Sequence, residues 1–182
     1  MNYYISDLHI GHENVIKHDG RPFTDSVQMA NEIARRWNST VSYDDSVYIL
    51  GDFAWKNTVG LQMLQQLSGR KFLILGNHDK PTTEMQTYFE WVREIAVIND
   101  CGTSVVLCHY PIAHWKGQYR GTVHLYGHIH NTKDYTAFER YREICMELEI
   151  PFECYNVGCM MPYMDYTPKT LEEIRNSAKA YL

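Results

Sequence analysis

The sequence predicts an α/β fold, and three observations carry that expectation. Short apolar runs of strand length stand at Tyr3–Ser6, Val47–Leu50 and Phe72–Leu75. Helical periodicity fills the gaps, so the first 75 residues hold two strand-helix-strand crossovers, which join parallel neighbours in a helix-covered sheet. Each run also hands over to polar residues at its end, and in an α/β sheet such ends gather on one side of the molecule.

Taken in order, Tyr3 to Ser6 is a buried strand followed by Asp7-Leu8-His9, whose polar residues would point the same way at extended spacing. Ile10 to Thr24 carries loop or short-helix signals, with His12, Asn14, His18, Gly20 and Arg21-Pro22. Ser26 to Trp37 is helical, because Val27, Ala30, Ile33, Ala34 and Trp37 recur at three- and four-residue spacings. Asp25 or Ser26 would cap it. Val47 to Leu50 ends in Gly51-Asp52, and Leu61, Leu64 and Leu67 mark an amphipathic helix closed by Gly69. Phe72 to Leu75 suits a strand covered on both faces, and Gly76 lets the chain bend or approach a ligand before Asn77-His78-Asp79.

Thr83 to Trp91 is weakly helical, and Arg93 to Asp100 has room for a strand. From Thr103 the strands crowd together. Ser104 to Cys108 ends in His109, and Thr122 to Tyr126 ends in Gly127-His128-Ile129-His130. Phe138, Tyr141, Ile144, Cys145 and Leu148 define a helix before Pro151, and Phe152 to Val157 forms another strand. Thr170-Leu-Glu-Glu173 is a capping box opening a last helix. No linker, repeat or low-complexity tract divides the chain, so residues 1–182 are expected to form one domain.

Composition excludes several function classes. With 45% hydrophobic and 21% charged residues the chain is of compact globular type, and no apolar run approaches the roughly 18 residues of a membrane span. It opens on a strand with no signal-peptide stretch, so a cytoplasmic location is expected. The five cysteines are odd in number and include no Cys-x-x-Cys pair, which argues for buried free thiols and against a disulfide framework or zinc knuckle. A net charge of −5 argues against general polyanion binding, and no dedicated nucleic-acid-binding domain is expected. A nucleotide held through metals remains compatible with it.

Seven oxygen and nitrogen donors follow the strand-like runs: Asp7, His9, Asp52, Asn77, His109, His128 and His130. Singly, each has a bland explanation as a turn cap or a satisfied histidine. Jointly, with no thiolate among them, they suit two first-row divalent ions sharing a carboxylate better than one structural zinc. Two such ions bring four positive charges, of which Asp7, Asp52 and a bridging hydroxide remove three. The remaining charge favours an anionic substrate such as a phosphate ester. His78 is not needed for coordination and could protonate a leaving oxygen, with Asp79 fixing its tautomer.

Asp-x-His, Gly-Asp, Gly-Asn-His-Asp, His and Gly-His-x-His, in this order, resemble the motif set of the calcineurin-like metallophosphoesterases across residues 3 to 157. The resemblance implies two mixed β-sheets packed face to face and flanked by helices, a four-layer αββα sandwich. It implies one ion on Asp7, His9, Asp52 and His130 and a second on Asp52, Asn77, His109 and His128, with Asp52 bridging. The expected cofactors are two divalent first-row transition-metal ions, Mn first, with Fe, Zn or Ni as alternatives. The implied reaction is hydrolysis of a phosphate ester by a metal-bridging hydroxide, with His78 as general acid.

His12, Asn14 and Arg21 are candidate substrate contacts, whereas His18, His114 and His124 are expected to be structural. Tyr110 and Trp115 flank the His109 loop and either stack on a base or cover the core. The protein Ser/Thr phosphatases of the family continue their second motif as Gly-Asp-x-x-Asp-Arg-Gly, whereas this chain reads Gly51-Asp-Phe-Ala-Trp-Lys-Asn. Their third motif ends in Glu and this one in Asp79. The expectation is therefore a small bacterial or phage-type phosphoesterase acting on a diester or nucleotide-like compound. The alternative is a catalytically silent scaffold of the same fold that binds other proteins.

Overall fold

The structure, a computed structural model, describes residues 1–181. Strands β1 (Asn2–Ile5), β2 (Ser46–Ile49), β3 (Arg70–Ile74) and β4 (Phe89–Arg93) form a sheet in the order β1-β2-β3-β4. All three ladders are parallel, and the free side of β1 carries an antiparallel bridge between Tyr4 and Lys169. Strands β5 (Ile95–Asp100), β6 (Thr103–Cys108), β7 (Val123–Tyr126) and β8 (Cys154–Asn156) form the second sheet, which is mixed. Here β5 and β6 make an antiparallel hairpin, and β6-β7-β8 run parallel. The hairpin turns through Cys101 (φ 49°) and Gly102 (φ 90°), the two positive values that a tight two-residue connection of twisted strands requires.

Alternation along the strands divides the core into layers. Tyr3, Ile5, Val47, Ile49 and Leu73 face helices α1 (Glu13–Asp19), α2 (Ser26–Thr40), α3 (Asn57–Leu64) and α4 (Thr83–Gln86). Tyr4, Tyr48, Leu50 and Ile74 turn the other way and meet Val105, Leu107, Val123 and Leu125 of the second sheet. On that sheet's outer face, Val106 and Tyr126 pack with Cys145 of α5 (Lys133–Glu147). Helix α6 (Leu171–Ala178) begins at the Thr170/Glu173 capping box and buries Leu171, Ile174 and Ala178 in the middle layer. The result is two face-to-face four-stranded sheets with flanking helices, as expected, except that only the second sheet is mixed; the strands of the first are all parallel because helices join them as crossovers.

Local departures from the sequence reading have local causes. Asp25 caps α2 by accepting from Val27 and Gln28 N–H, but the buried stripe begins at Met29, leaving Val27 in solvent. The weakly helical stretch contains only one turn, α4, before Phe-Glu-Trp-Val-Arg extends into the edge strand β4. Phe89, Trp91 and Val92, two aromatic and one β-branched side chain in five residues, fit a pleated surface better than a helix. Cys145, Cys154 and Cys159 are buried and Cys108 half-buried, whereas Cys101 is exposed because it forms the hairpin turn. Among the described residues no helix is long and apolar enough to cross a membrane.

His124 supports this core as a neutral side chain. Its Nδ1 lies 3.2 Å from the Val106 carbonyl, and its Nε2 accepts the Ile112 N–H at 3.1 Å, which requires an unprotonated Nε2. Burial pushes its pKa from 6.5 down to about 4, against the opposing pull of the backbone bonds. The unfolded chain therefore binds a proton in this window that the folded chain refuses. The contribution is whole above about pH 6.5 and lost as pH falls toward about 4, a change of about 3 kcal/mol. Urea unfolding of wild type and His124→Gln checks this. The wild-type advantage should shrink by about 2–3 kcal/mol between about pH 7.5 and about pH 4.5, and a parallel pH dependence of the two proteins would contradict the assignment.

Candidate metal centre

The donors leave the strand ends in a strained conformation. Asp7 (φ 56°), His9 (φ 50°), Asp52 (φ 51°), His128 (φ 71°) and His130 (φ 46°) all occupy the left-handed region. Each such residue costs on the order of 1–2 kcal/mol, and such strain persists where surrounding bonds over-determine it. Those bonds run between strand ends: Asp7 N–H to Gly51 O (3.0 Å), His9 N–H to Asp52 O (2.9 Å) and Gly127 N–H to His109 O (2.9 Å). Asp7 and His9 thus do not project from an extended strand as their spacing implied. The left-handed turns bring them together instead.

Two donor sets result, and they share one oxygen. Asp52 Oδ2 lies 3.5 Å from His9 Nε2 and 3.6 Å from His109 Nε2. On the first side, His9 Nε2 is 3.3 Å from His130 Nε2, which is 3.6 Å from Asp7 Oδ1. On the second, Asn77 Oδ1 is 3.1 Å from His109 Nε2 and 3.0 Å from His128 Nδ1, with the two imidazole nitrogens 3.2 Å apart. A cation about 2.0–2.2 Å from each donor would set neighbouring donors about 3.0–3.6 Å apart at tetrahedral to octahedral angles. Asp7, His9 and His130, and separately Asp7, Asp52 and His109, bring ligand atoms within 4.8 Å of one another. The residues therefore fit divalent metal ions.

The titrations follow from this crowding. Burial alone would raise the Asp7 carboxyl, but His130, His109 and His9 outweigh it and hold it down at about 2. Burial pushes His9 down to about 3, which keeps it neutral and ligand-competent. Burial also opposes charge on His130, yet hydrogen bonds to Asp19 and Asp7 raise it to about 9. Burial, reinforced by His109, lowers His128.

Supporting groups differ from the sequence reading in instructive ways. Arg21, expected to meet a phosphate, is 4% exposed, and its guanidinium donates to the Asp7 and Leu8 carbonyls and pairs with Asp19. It holds the first donor loop and has no free face for substrate. Asp19, missed by sequence reasoning, accepts from His130 Nδ1 at 2.8 Å and so aims its Nε2 at the donor set. The sequence hint was an acidic residue two positions before the arginine that binds the loop. Asp79 does not touch the His78 ring; its carboxylate accepts the N–H groups of Asp52, Phe53 and Gly76. Gly76 must lack a side chain, because a Cβ there would collide with the Asp52 carboxylate.

His78 and Asn77 are exposed, and the His78 ring lies 5.6 Å from that of His9, outside both donor sets. His12 is half-buried, 5.6 Å from His9, and stacks on Trp55. Asn14 is exposed in the first turn of α1. Trp115 is buried with its indole N–H donated to Thr122 O, so it covers core, while Tyr110 packs edge-on against His109 and His128. His18 and His114 are exposed.

The chain is similar to several known proteins. An uncharacterized protein of Methanocaldococcus jannaschii is 32% identical over 131 residues, covering 70% of this chain and 68% of the relative. The gene 66 protein of Mycobacterium phage L5 is 32% identical over 161 residues, covering 71% of this chain and 77% of the relative. The crystal structure of a protein of unknown function from Aquifex aeolicus superposes with a TM-score of 0.73 at 27% identity, covering 97% of this chain and 98% of that one. The profile of the calcineurin-like phosphoesterases matches residues 3–147, a span that includes most of both sheets and all seven donors, and the chain belongs to that family.

Proposed function

We propose that this chain is a metal-dependent phosphoesterase that hydrolyses a phosphodiester or nucleotide-like ester. The observation carrying this reading is the pair of donor sets that meet at Asp52 Oδ2. Asp7, His9, Asp52 and His130 would hold one divalent ion and Asp52, Asn77, His109 and His128 the other. Carboxylate, amide and imidazole donors suit Mn, with Fe, Zn or Ni as alternatives. Two bound ions would supply Lewis acidity toward a phosphoryl oxygen and a nucleophilic water at neutral pH.

The chain's own groups do the rest. Hydrolysis forms a bond from water to phosphorus, breaks the ester P–O bond and delivers a proton to the leaving oxygen. His78 is the side chain suited to deliver it, being exposed, beside His9 and not needed as a donor. Its backbone N–H donates to Asp52 Oδ1 at 3.0 Å, which ties the acid's loop to the shared carboxylate. Asp79 then serves the acid indirectly, by clamping the Gly76 turn against residues 52 and 53. His12, at the rim, suits a substrate phosphate, and Asn14 follows it on α1. With Asn77 and His78 exposed, the centre opens to solvent and has room for substituents on two ester oxygens, which favours a diester.

Asp52→Asn should lose bound metal and hydrolysis together, because its carboxylate belongs to both donor sets. Elemental analysis with a generic phosphodiester assay checks this, and two ions at full occupancy in the variant would reject the shared ligand. If wild type loaded with Mn, Ni, Fe or Zn hydrolyses nothing, the scaffold reading gains instead. His78→Ala should keep its metals while losing about 10²- to 10⁴-fold in rate. The loss should be smaller on nitrophenyl than on alkyl esters, since nitrophenolate leaves without protonation. An equal loss on both would show that His78 positions phosphate, and a missing ion would make it a ligand.

A further inference from the structure

We propose that Trp55 is the platform on which a nucleobase of the substrate's leaving group stacks, so that the substrate is a short nucleoside phosphodiester. This rests on the phosphoesterase reading and narrows its substrate class. Of the four tryptophans, Trp37 and Trp115 are buried and Trp91 half-buried, whereas Trp55 is 44% exposed three residues beyond Asp52. Leaving a large indole in water forgoes the burial that drives folding, so its position calls for another partner.

Trp55 is held through its backbone and along one ring face. Its backbone N–H donates to Ile10 O at 3.0 Å, beside the bridge that pairs Ile10 with Ala54. The His12 ring lies parallel to it, with centroids 3.9 Å apart and planes 5° from parallel. His12 Nδ1 is buried with no hydrogen-bond partner among the described residues, so the stack itself orients that ring. An aromatic ring already packed on one side loses less entropy when it binds a planar ring than a free side chain would.

Its place selects which part of the substrate it meets. The Trp55 ring is 5.2 Å from His78, the proposed proton donor to the leaving oxygen. A group protonated by His78 departs beside the indole. Tyr110 stands at the other donor set, against His109 and His128, and does not adjoin the acid. Base stacking on an aromatic side chain tolerates any base and needs no basic groove. With a net charge of −5, the chain suits a one- or two-base ester better than a nucleic-acid polymer.

The test compares two diesters that differ only in the base: thymidine 5′-(methyl phosphate) and 1,2-dideoxyribose 5′-(methyl phosphate), following release of the thymidine or the sugar. Leaving-group acidity is matched, so the ratio of kcat/KM values reports the base. Mn-loaded wild type should favour the thymidine ester about tenfold or more, within the range of one base stack. Trp55→Ala should bring the ratio close to one, and Trp55→Phe should keep most of it. Equal rates on both esters in wild type, or an equal fall on both in Trp55→Ala, would overturn the proposal, the latter because Trp55 would then only brace His12. If neither ester is cleaved while a nitrophenyl phosphodiester is, the nucleoside-ester proposal fails and the phosphoesterase reading stands; if no diester is cleaved, the phosphoesterase reading fails, and saturation-transfer NMR still decides the stack. Transfer from wild-type protein to thymidine base protons should vanish in Trp55→Ala, and unchanged or absent transfer in wild type would refute it.

Discussion

The Asp52 carboxylate ties the site together. Its Oδ1 accepts the His78 N–H, its Oδ2 faces both His9 and His109, its own N–H is held by Asp79, and its carbonyl accepts the His9 N–H. Three segments far apart in sequence, at His9, at His78-Asp79 and at His109, are therefore fixed relative to residue 52. A shift of any strand end by one residue would move a donor away from it, so the register of both sheets and the geometry of the centre are one constraint.

That constraint carries a cost which the rest of the fold offsets. Five donors with positive φ amount to several kcal/mol of backbone strain, on the order of 1–2 each. The middle layer, where Tyr4, Leu50 and Ile74 meet Val105, Leu107 and Leu125, lies directly behind the donor turns and is fully buried. Burying one such side chain contributes about 1.5–3 kcal/mol, so a few of them outweigh the strain. Arg21 and Asp19 extend the same logic outward, spending a buried ion pair on holding the Asp7 loop and the His130 ring. A buried pair contributes little net stability, but it confers a defined geometry here.

Much of this was legible in the sequence because strands and donors mark each other. Each apolar run ended in a donor, which gave β1, β2, β3, β6 and β7 and the set Asp7, His9, Asp52, Asn77, His109, His128 and His130 together. What was hidden depends on three-dimensional neighbours. The edge strand β4 hid because Thr83 to Trp91 mixes a one-turn helix with a strand. Arg21 carried a charge suited to phosphate, and only burial shows that backbone carbonyls use it. Asp79 stands next to His78 in the chain, yet its carboxylate turns back to the 52–53 turn. Asp19 and Trp55 had no motif around them at all; their roles arise from packing against His130 and His12.

The most direct test of a shared carboxylate is anomalous diffraction from crystals of the Mn-loaded protein. Two anomalous peaks about 3.5–4 Å apart, both within coordination distance of Asp52 Oδ2, are the result expected of a dinuclear centre. A single peak, or two peaks of which only one contacts Asp52, would contradict it.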